Sequence, residues 1–334
     1  IDQTENSTFQ PDMVWIKNRS QADDHMLIDA PRGVTKELNP NDTRVQSTDA
    51  NGLTSFDSDG FGLGTGAGGY NDDTESFVAW QWLAGGGAGS SNTAGSINTI
   101  KTTVNTAAGI SIGTYTGTGV AATVGHGLGV VPQMVIVKDT SAVQSWLVYH
   151  EGVATDPGTD FLKLNESVAV EDHHDVWDDT APTSTVFSIG IDSTTNRNTS
   201  VFAAYCFADV EGFSKIGNYF GNGLSVLSGS GVGTGPVVYT GFKPAFVMIK
   251  NITSTGNWVM YDNQRSPYNE IDDQLLANTT AAETTGSEEI DFLSNGFKIQ
   301  PADSDVNTIN ANYVYAAFAE YPFGGEDVTP ATTF

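Results

Sequence analysis

The phrase "PDMVWIKN" at residues 11–18 returns as "PQMVIVKD" at 132–139 and as "PAFVMIKN" at 244–251. Each copy opens on a proline and runs through large apolar residues to a lysine. In the first, Val14 and Ile16 fall on one face while Met13, Trp15 and Lys17 fall on the other. That is the two-residue period of a β-strand. A phrase written three times marks an internal repeat, and the repeat decides the fold class.

Aligning the copies on Lys17, Lys138 and Lys250 extends the match. Twelve residues on come Asp29, His150 and Asp262, closing the runs "HMLID", "WLVYH" and "WVMYD". Three residues further stand Arg32 and Arg265, with Val153 in the second copy. Asn39, Asn165 and Asn278 follow, then "GFGLG", "VFSIG" and "GFKIQ". The last shared run ends at Trp82, Phe207 and Phe318. An element "ISIGTYTGTG" from Ile110 is matched by "FSKIGNYFGNG" from Phe213; the first copy lacks it, since ten residues precede Pro11. The repeats, roughly 105–120 residues long, are of domain size, well beyond the roughly 20–50 residues of solenoid or propeller units.

Every shared segment reads as a strand, and Asp59-Gly60 and Asn295-Gly296 read as tight turns between strands. The best helical candidate, "DDQLLANTTAAETT" near 272–285, is short. The sequence therefore predicts an all-β protein of three related antiparallel β-sandwich-like modules in tandem, with one pseudo-threefold β body as the alternative. The units divide as repeat 1 over 1–84 without its leading strand, a Gly/Ser-rich linker over 85–108, repeat 2 over 109–211, repeat 3 over 212–325 and a C-terminal tail over 326–334.

Composition narrows the function classes. Fourteen Lys and Arg face forty Asp and Glu across 334 residues, a formal charge of −26. Phosphates and anionic membrane surfaces would be repelled, so neither nucleic acid nor membrane insertion is expected. Apolar runs stay under ten residues, too short for a membrane-spanning helix. The lone cysteine, Cys206, lies in the apolar run "VFAAYCFA" and reads as a buried thiol.

Several stretches carry a resemblance. "FQPDMVWIKNRS", "DAPRGVTKELN", "LTSFDSDGFGLG", "VAWQWLAGG", "YTGTGVAATVGHGLGVVPQMVIVK", "FADVEGFSKIGNY" and "IDFLSNGFKI" with "YAAFAEYPFGG" resemble a repeat family of marine bacteriophages, including cyanophages. The resemblance runs from Phe9 to Gly325. It implies a non-enzymatic virion structural protein, expected on the tail as a fibre or appendage in host attachment. A capsid-surface decoration protein and a polysaccharide depolymerase are the alternatives. Implied partners are other virion proteins and a host surface glycan or protein. A fibre role implies a homo-oligomer, with a trimer favoured, at the extracellular virion surface. It transfers no catalytic residue.

Motifs of chemistry are sparse. One cysteine and no HExxH leave no zinc spacing. "GTGAGG" at 64–69 leads into "YNDDTESF" instead of a helix, so it reads as a loop. Asp57 and Asp59 in "FDSDG" start like a calcium loop, and calcium is the one cofactor suggested; a turn explains the same residues. In "EDHHDVWDD", His173, His174 and Asp175 are candidate metal ligands beside the reading as a solvated acidic loop. Trp15 and Trp177 are the candidates for stacking on a sugar ring. Asp29 with Arg32, and Asp262 with Arg265, read as structural pairs at a strand-to-loop exit.

Overall fold

A computed structural model of the chain describes residues 9–65, 69–153, 156–225 and 234–320. The tail read over 326–334 and residues 66–68 of the glycine loop lie outside them. The first repeat holds β1 (Met13–Asn18), β2 (Met26–Asp29), β3 (Lys36–Glu37), β4 (Ser47–Thr48), β5 (Leu53–Asp57), β6 (Gly60–Leu63) and β7 (Phe77–Trp82). β8 (Lys101–Asn105) follows. The second holds β9 (Ile110–Thr116), β10 (Ala122–Gly125), β11 (Met134–Asp139), β12 (Leu147–His150), β13 (Asp160–Lys163), β14 (Glu171–Asp172), α1 (His174–Trp177), β15 (Val186–Ile189), α2 (Ser193–Asn196) and β16 (Val201–Phe207). The third holds β17 (Ser214–Phe220), β18 (Val237–Tyr239), β19 (Pro244–Asn251), β20 (Trp258–Asp262), β21 (Ile271–Leu276), β22 (Thr284–Leu293), β23 (Gly296–Ile299) and β24 (Asn312–Ala319).

The protein is all-β, and its sheets are antiparallel. The repeated phrase forms the middle of the same strand trio each time: β2-β1-β7, β12-β11-β16 and β20-β19-β24. The registers coincide as well. Trp15 faces Trp80, Ile136 faces Tyr205 and Met248 faces Ala316. Around the second trio the sheet grows to seven strands, and around the third to eight. The eight-stranded sheet curls until it nearly closes: Tyr219 of β17, at one end, meets Phe297 of β23, next to the other end, with ring centroids 6.1 Å apart.

Two-residue hairpins join β5 to β6 and β22 to β23. Gly60 takes φ +135° in the first, where a side chain would be strained. At Gly296 a Cβ would lie 2.0 Å from the Val238 carbonyl oxygen, so glycine lets β18 close on β23.

Both faces of each phrase are buried. Val14 and Ile16 pack with Ile28, Leu53, Phe61 and Tyr70 inside the first repeat. Val135 and Val137, and Val247 and Ile249, do the same in their repeats. On the opposite face Met13, Trp15, Met134, Ile136, Phe246 and Met248 enter one apolar cluster drawn from all three repeats. An exposed or half-exposed Trp15 face is therefore not found: the ring is 4% exposed. A strand buried on both faces needs a third layer, which a two-layer reading of one unit cannot supply.

Two further expectations are corrected. The segment near 272–285 is no helix; it lies in β21, the connection after it and the start of β22. Its Gln274 and Leu275 are buried, and strand pairing has overridden helix propensity. The Gly/Ser-rich stretch is not a free tether. Ala84 and Ile97 are buried, Ser90 bridges Thr102, Ile97 bridges Val124, and β8 pairs with β9. The buried Asp12 carboxylate accepts hydrogen bonds from the backbone of Ala84 (2.7 Å), Gly86 (2.8 Å) and Gly87 (2.5 Å).

Candidate functional site

The chemically richest part of the molecule is the set of polar groups that cross between repeats at the rim of the shared cluster. Asp29 and Asp262 end β2 and β20 with their carboxylates buried. Each accepts the backbone N–H of the arginine three residues on at 2.9 Å and its Nε at 2.6 Å. The structure thus brings Asp29 to Arg32 and Asp262 to Arg265 in the same geometry. Oδ2, the oxygen that accepts the arginine Nε, also takes a donor from another repeat: Tyr205 Oη gives to Asp29 at 2.7 Å and Trp80 Nε1 gives to Asp262 at 3.0 Å. Trp80 and Tyr205 occupy the same place in their strands. Arg265 also donates to Glu283 at 2.9 Å, and Arg19 pairs with the same Glu283 at 2.7 Å. The Arg265 guanidinium lies 5.7 Å from the Trp80 ring centroid.

In the second repeat this position is His150 and the arginine is Val153. Gly152 N–H donates to His150 Nδ1 at 3.0 Å, so Nε2 carries the proton and donates to the Tyr315 carbonyl at 3.2 Å. Burial pulls the His150 pKa down to about 4, so the ring is neutral. A neutral ring needs no counter-ion, and an apolar, fully buried Val153 fits where a cation is required elsewhere.

A second ring of contacts follows the same order. His25, Trp146 and Trp258 open the equivalent strands. His25 Nε2 donates to the Leu276 carbonyl (3.1 Å), Trp146 Nε1 to Asn39 (2.9 Å) and Trp258 Nε1 to Lys163 (2.9 Å). Trp15 Nε1 donates to His25 Nδ1 at 2.9 Å, which fixes that tautomer. Burial lowers the His25 pKa to about 3. In both rings the first repeat reaches the third, the third meets the second and the second reaches the first.

Lys17, Lys138 and Lys250, the alignment anchors, are fully buried. Each ammonium donates to the carbonyl of the next residue, at 2.5, 2.7 and 2.7 Å. Lys138 also reaches Thr43 of the first repeat at 3.2 Å, and Lys250 reaches Ser167 of the second at 3.3 Å. Desolvation lowers all three to a pKa of about 8. Sequence reading used these lysines as markers and missed their burial. A cation recurring inside an apolar strand was the available signal.

The remaining candidates are scattered. Trp15 and Trp177 are 4% and 2% exposed, so no sugar can stack on either ring in this fold. Their apolar neighbours explain this: Trp15 meets Trp80 edge-on and Trp177 meets Tyr149 edge-on. Asp57 is exposed at the β5–β6 hairpin and accepts from Ser55 Oγ at 3.1 Å; Asp59 lies in the two-residue loop. His173 caps α1, stacks on His174 with centroids 5.3 Å apart, and accepts from the Asp175 backbone; His174 Nε2 lies 3.2 Å from the Asp175 carboxylate. Among the described residues, no three His, Cys, Asp or Glu side chains converge as a metal site would require. The buried Cys206 thiol is pushed upward by desolvation, away from reactivity.

Residues 109–113, "GISIG", spell the nucleophile-elbow pattern G-x-S-x-G. Ser111 sits within strand β9, 2% exposed, and donates to the His126 carbonyl at 2.5 Å. It lacks the strand-to-helix turn that exposes such a serine. A surface depression of about 190 Å³ is lined by Lys243, Asn263, Pro267, Tyr268, Asn269, Ile271 and Phe292. Its one cation, Lys243, is paired with Glu320 at 2.7 Å.

Residues 2–322 match the family described as "Domain of unknown function (DUF7483)", and the chain belongs to that family. No curated protein and no solved structure matches it.

Proposed function

We propose that this DUF7483 chain is a non-enzymatic structural protein of a bacteriophage virion, a tail-fibre or appendage component in host attachment. In this reading its three repeats act as one pseudo-threefold β body, and tethered modules are set aside. The observation that carries the reading is the shared apolar cluster, to which the repeated strands contribute Met13 and Trp15, Met134 and Ile136, and Phe246 and Met248, rimmed by polar contacts running in one cyclic order. Such a body is rigid and has no need of a flexible joint. The buried arginines, lysines and histidines all have structural partners, and Lys138, His25 and His150 find theirs in a neighbouring repeat. The excess of carboxylates keeps the exterior hydrated and repels like-charged bodies. The virion location rests on the phage resemblance of the sequence motifs, and the surface loops are where a host glycan or protein would be met.

Antibodies raised against the chain and applied to particles of the phage that encodes it test the location. Labelled tails support the attachment reading, a labelled shell replaces it with capsid decoration, and unlabelled particles refute both. Release of reducing sugar ends from host polysaccharide by the purified chain would refute the non-enzymatic part. Light scattering reports assembly: a mass of three times 35.3 kDa is the expected fibre trimer, whereas 35.3 kDa means that the internal repeats replace trimerisation.

A further inference from the structure

The third repeat carries a trio of polar side chains that the other two do not share. Lys243 precedes the proline of its repeated phrase, Asn263 follows Asp262, and Glu320 stands two residues beyond Phe318. The same three places hold Gln10, Ala30 and Ala84 in the first repeat, and Val131, Glu151 and Asp209 in the second. The fold brings the trio together. Glu320 N–H donates to the Lys243 carbonyl at 3.0 Å, Lys243 Nζ pairs with Glu320 Oε2 at 2.7 Å, and Asn263 Nδ2 donates to Glu320 Oε1 at 2.8 Å. They meet at the surface depression of about 190 Å³, whose wall includes Lys243 and Asn263.

Two features of this depression have no use in holding the fold. Asn263 is 7% exposed and its Oδ1 is buried, yet that oxygen accepts no hydrogen bond among the described residues. A buried acceptor without a donor is destabilising until one is supplied. Tyr268, also in the wall, is 83% exposed, the most exposed large apolar side chain among the described residues. Asn269, next in sequence, donates to the Phe292 carbonyl at 2.9 Å and accepts its N–H at 2.8 Å, which anchors the loop that presents Tyr268.

An open aromatic ring beside a buried amide and an ion pair suits a sugar: the ring takes the C–H face of a pyranose, and hydroxyls meet the polar groups. Charge narrows the class. Lys243 and Glu320 cancel, and the chain carries −26, so an anionic ligand gains no net attraction. Size narrows it further. The depression is below the roughly 300–1,000 Å³ that encloses a drug-sized molecule, which favours a single ring.

We propose that this depression binds a neutral pyranose, with the sugar ring on Tyr268, hydroxyls at Lys243 and Glu320, and one hydroxyl donating to Asn263 Oδ1. The inference deepens the host-attachment reading and rests on it, in that a host glycan would be the source of the sugar.

Glucose, galactose, mannose and N-acetylglucosamine are the probes, titrated singly into the intact protein and followed by saturation-transfer and amide NMR. At least one should bind saturably and shift the Asn263 side-chain amide signals. Tyr268→Ala should weaken that binding by about tenfold or more, the loss of one aromatic anchor, whereas Tyr268→Phe should keep it. Tyr268 is a surface residue, so neither change should unfold the chain. Tyr239→Ala, at a second tyrosine that is 66% exposed, should leave binding unchanged; equal weakening there would overturn the site. Absence of saturable binding by all four sugars overturns the proposal, and so does binding that Tyr268→Ala leaves intact. The two readings fail separately: antibody-labelled tails with no sugar bound overturn the site alone, and sugar binding with unlabelled particles overturns the virion reading alone.

Discussion

Raising the pH should stabilise this protein over an interval in which many proteins change little. Lys17, Lys138 and Lys250 are fully buried, and desolvation lowers each pKa from 10.5 to about 8. Nearby carboxylates limit the fall: Asp23, Asp24 and Glu283 for Lys17, Asp139 and Asp42 for Lys138, and Asp305 for Lys250. A pKa lower in the folded than in the unfolded state means that folding disfavours the ammonium. Below pH 8 both states hold the proton, and the cost, about 3 kcal/mol per lysine, is present in full. Between pH 8 and 10.5 the unfolded chain binds more protons than the folded one, so stability rises with pH. From about pH 7.5 to 9.5 the gain is about 2 kcal/mol per lysine, or on the order of 5 kcal/mol for the three together. Ionisation of tyrosines in the unfolded chain opposes this above about pH 10, which sets the upper limit of the test. Urea unfolding at a series of pH values reads the free energy directly, and Lys138→Met should remove about a third of the rise. A free energy that stays flat or falls across the interval would refute the reasoning, showing that the hydrogen-bonded ammonium groups are as well solvated inside as in water.

Other perturbations follow from the contacts between repeats. Tyr205→Phe takes a donor from the buried Asp29 carboxylate and should cost about 1.5–3 kcal/mol in urea unfolding; a loss below about 0.5 kcal/mol would contradict that contact. Arg32→Met leaves the same carboxylate without its cation and should cost about 3–5 kcal/mol. Asp12→Ala should cost about 2–3 kcal/mol and speed hydrogen exchange at the amides of Ala84, Gly86 and Gly87; unchanged exchange there would rule out the carboxylate as their acceptor. The neutral His25 and His150, held at about 3 and about 4, stabilise the fold above pH 6.5 and lose that contribution as pH falls. Each should remove about 1.4 kcal/mol per pH unit below 6.5, and His150→Gln should lower the slope measured between about pH 6.5 and 5 by about that amount; an unchanged slope would refute a neutral His150.

The strands of the repeat were legible because alternation and turn residues are local properties. "MVWIK" and its two relatives carry the period of a strand wherever they are placed, and Asp59-Gly60 and Asn295-Gly296 fall where the chain turns between paired strands. The Asp–Arg pairs were legible for the same reason, since three residues of one chain turn suffice to bring them together. The aromatics were harder. Trp15 looks half-exposed in a lone sandwich, and only the arrival of another repeat covers its ring. Trp177 sits in an acidic stretch whose charges face outward from α1 while the indole turns in. The glycine-rich segment after Trp82 has the composition of a tether, and the distant Asp12 carboxylate, with the bridges of Ser90 and Ile97, folds it down.

The sequence by itself determined that this is a β protein, that one unit occurs three times, and which residues stand at equivalent places in each copy. Those facts rest on side-chain period, turn chemistry and self-comparison, which need no partner. Tertiary structure alone decided which face of each repeated strand meets which neighbour, why three lysines are buried, and where Asp29, His150 and Asp262 find their second partners. Such contacts join residues separated in the chain by 165 to 182 positions. No local pattern encodes the complement of a surface, so the choice between three separate cores and a shared one is made only when the surfaces meet.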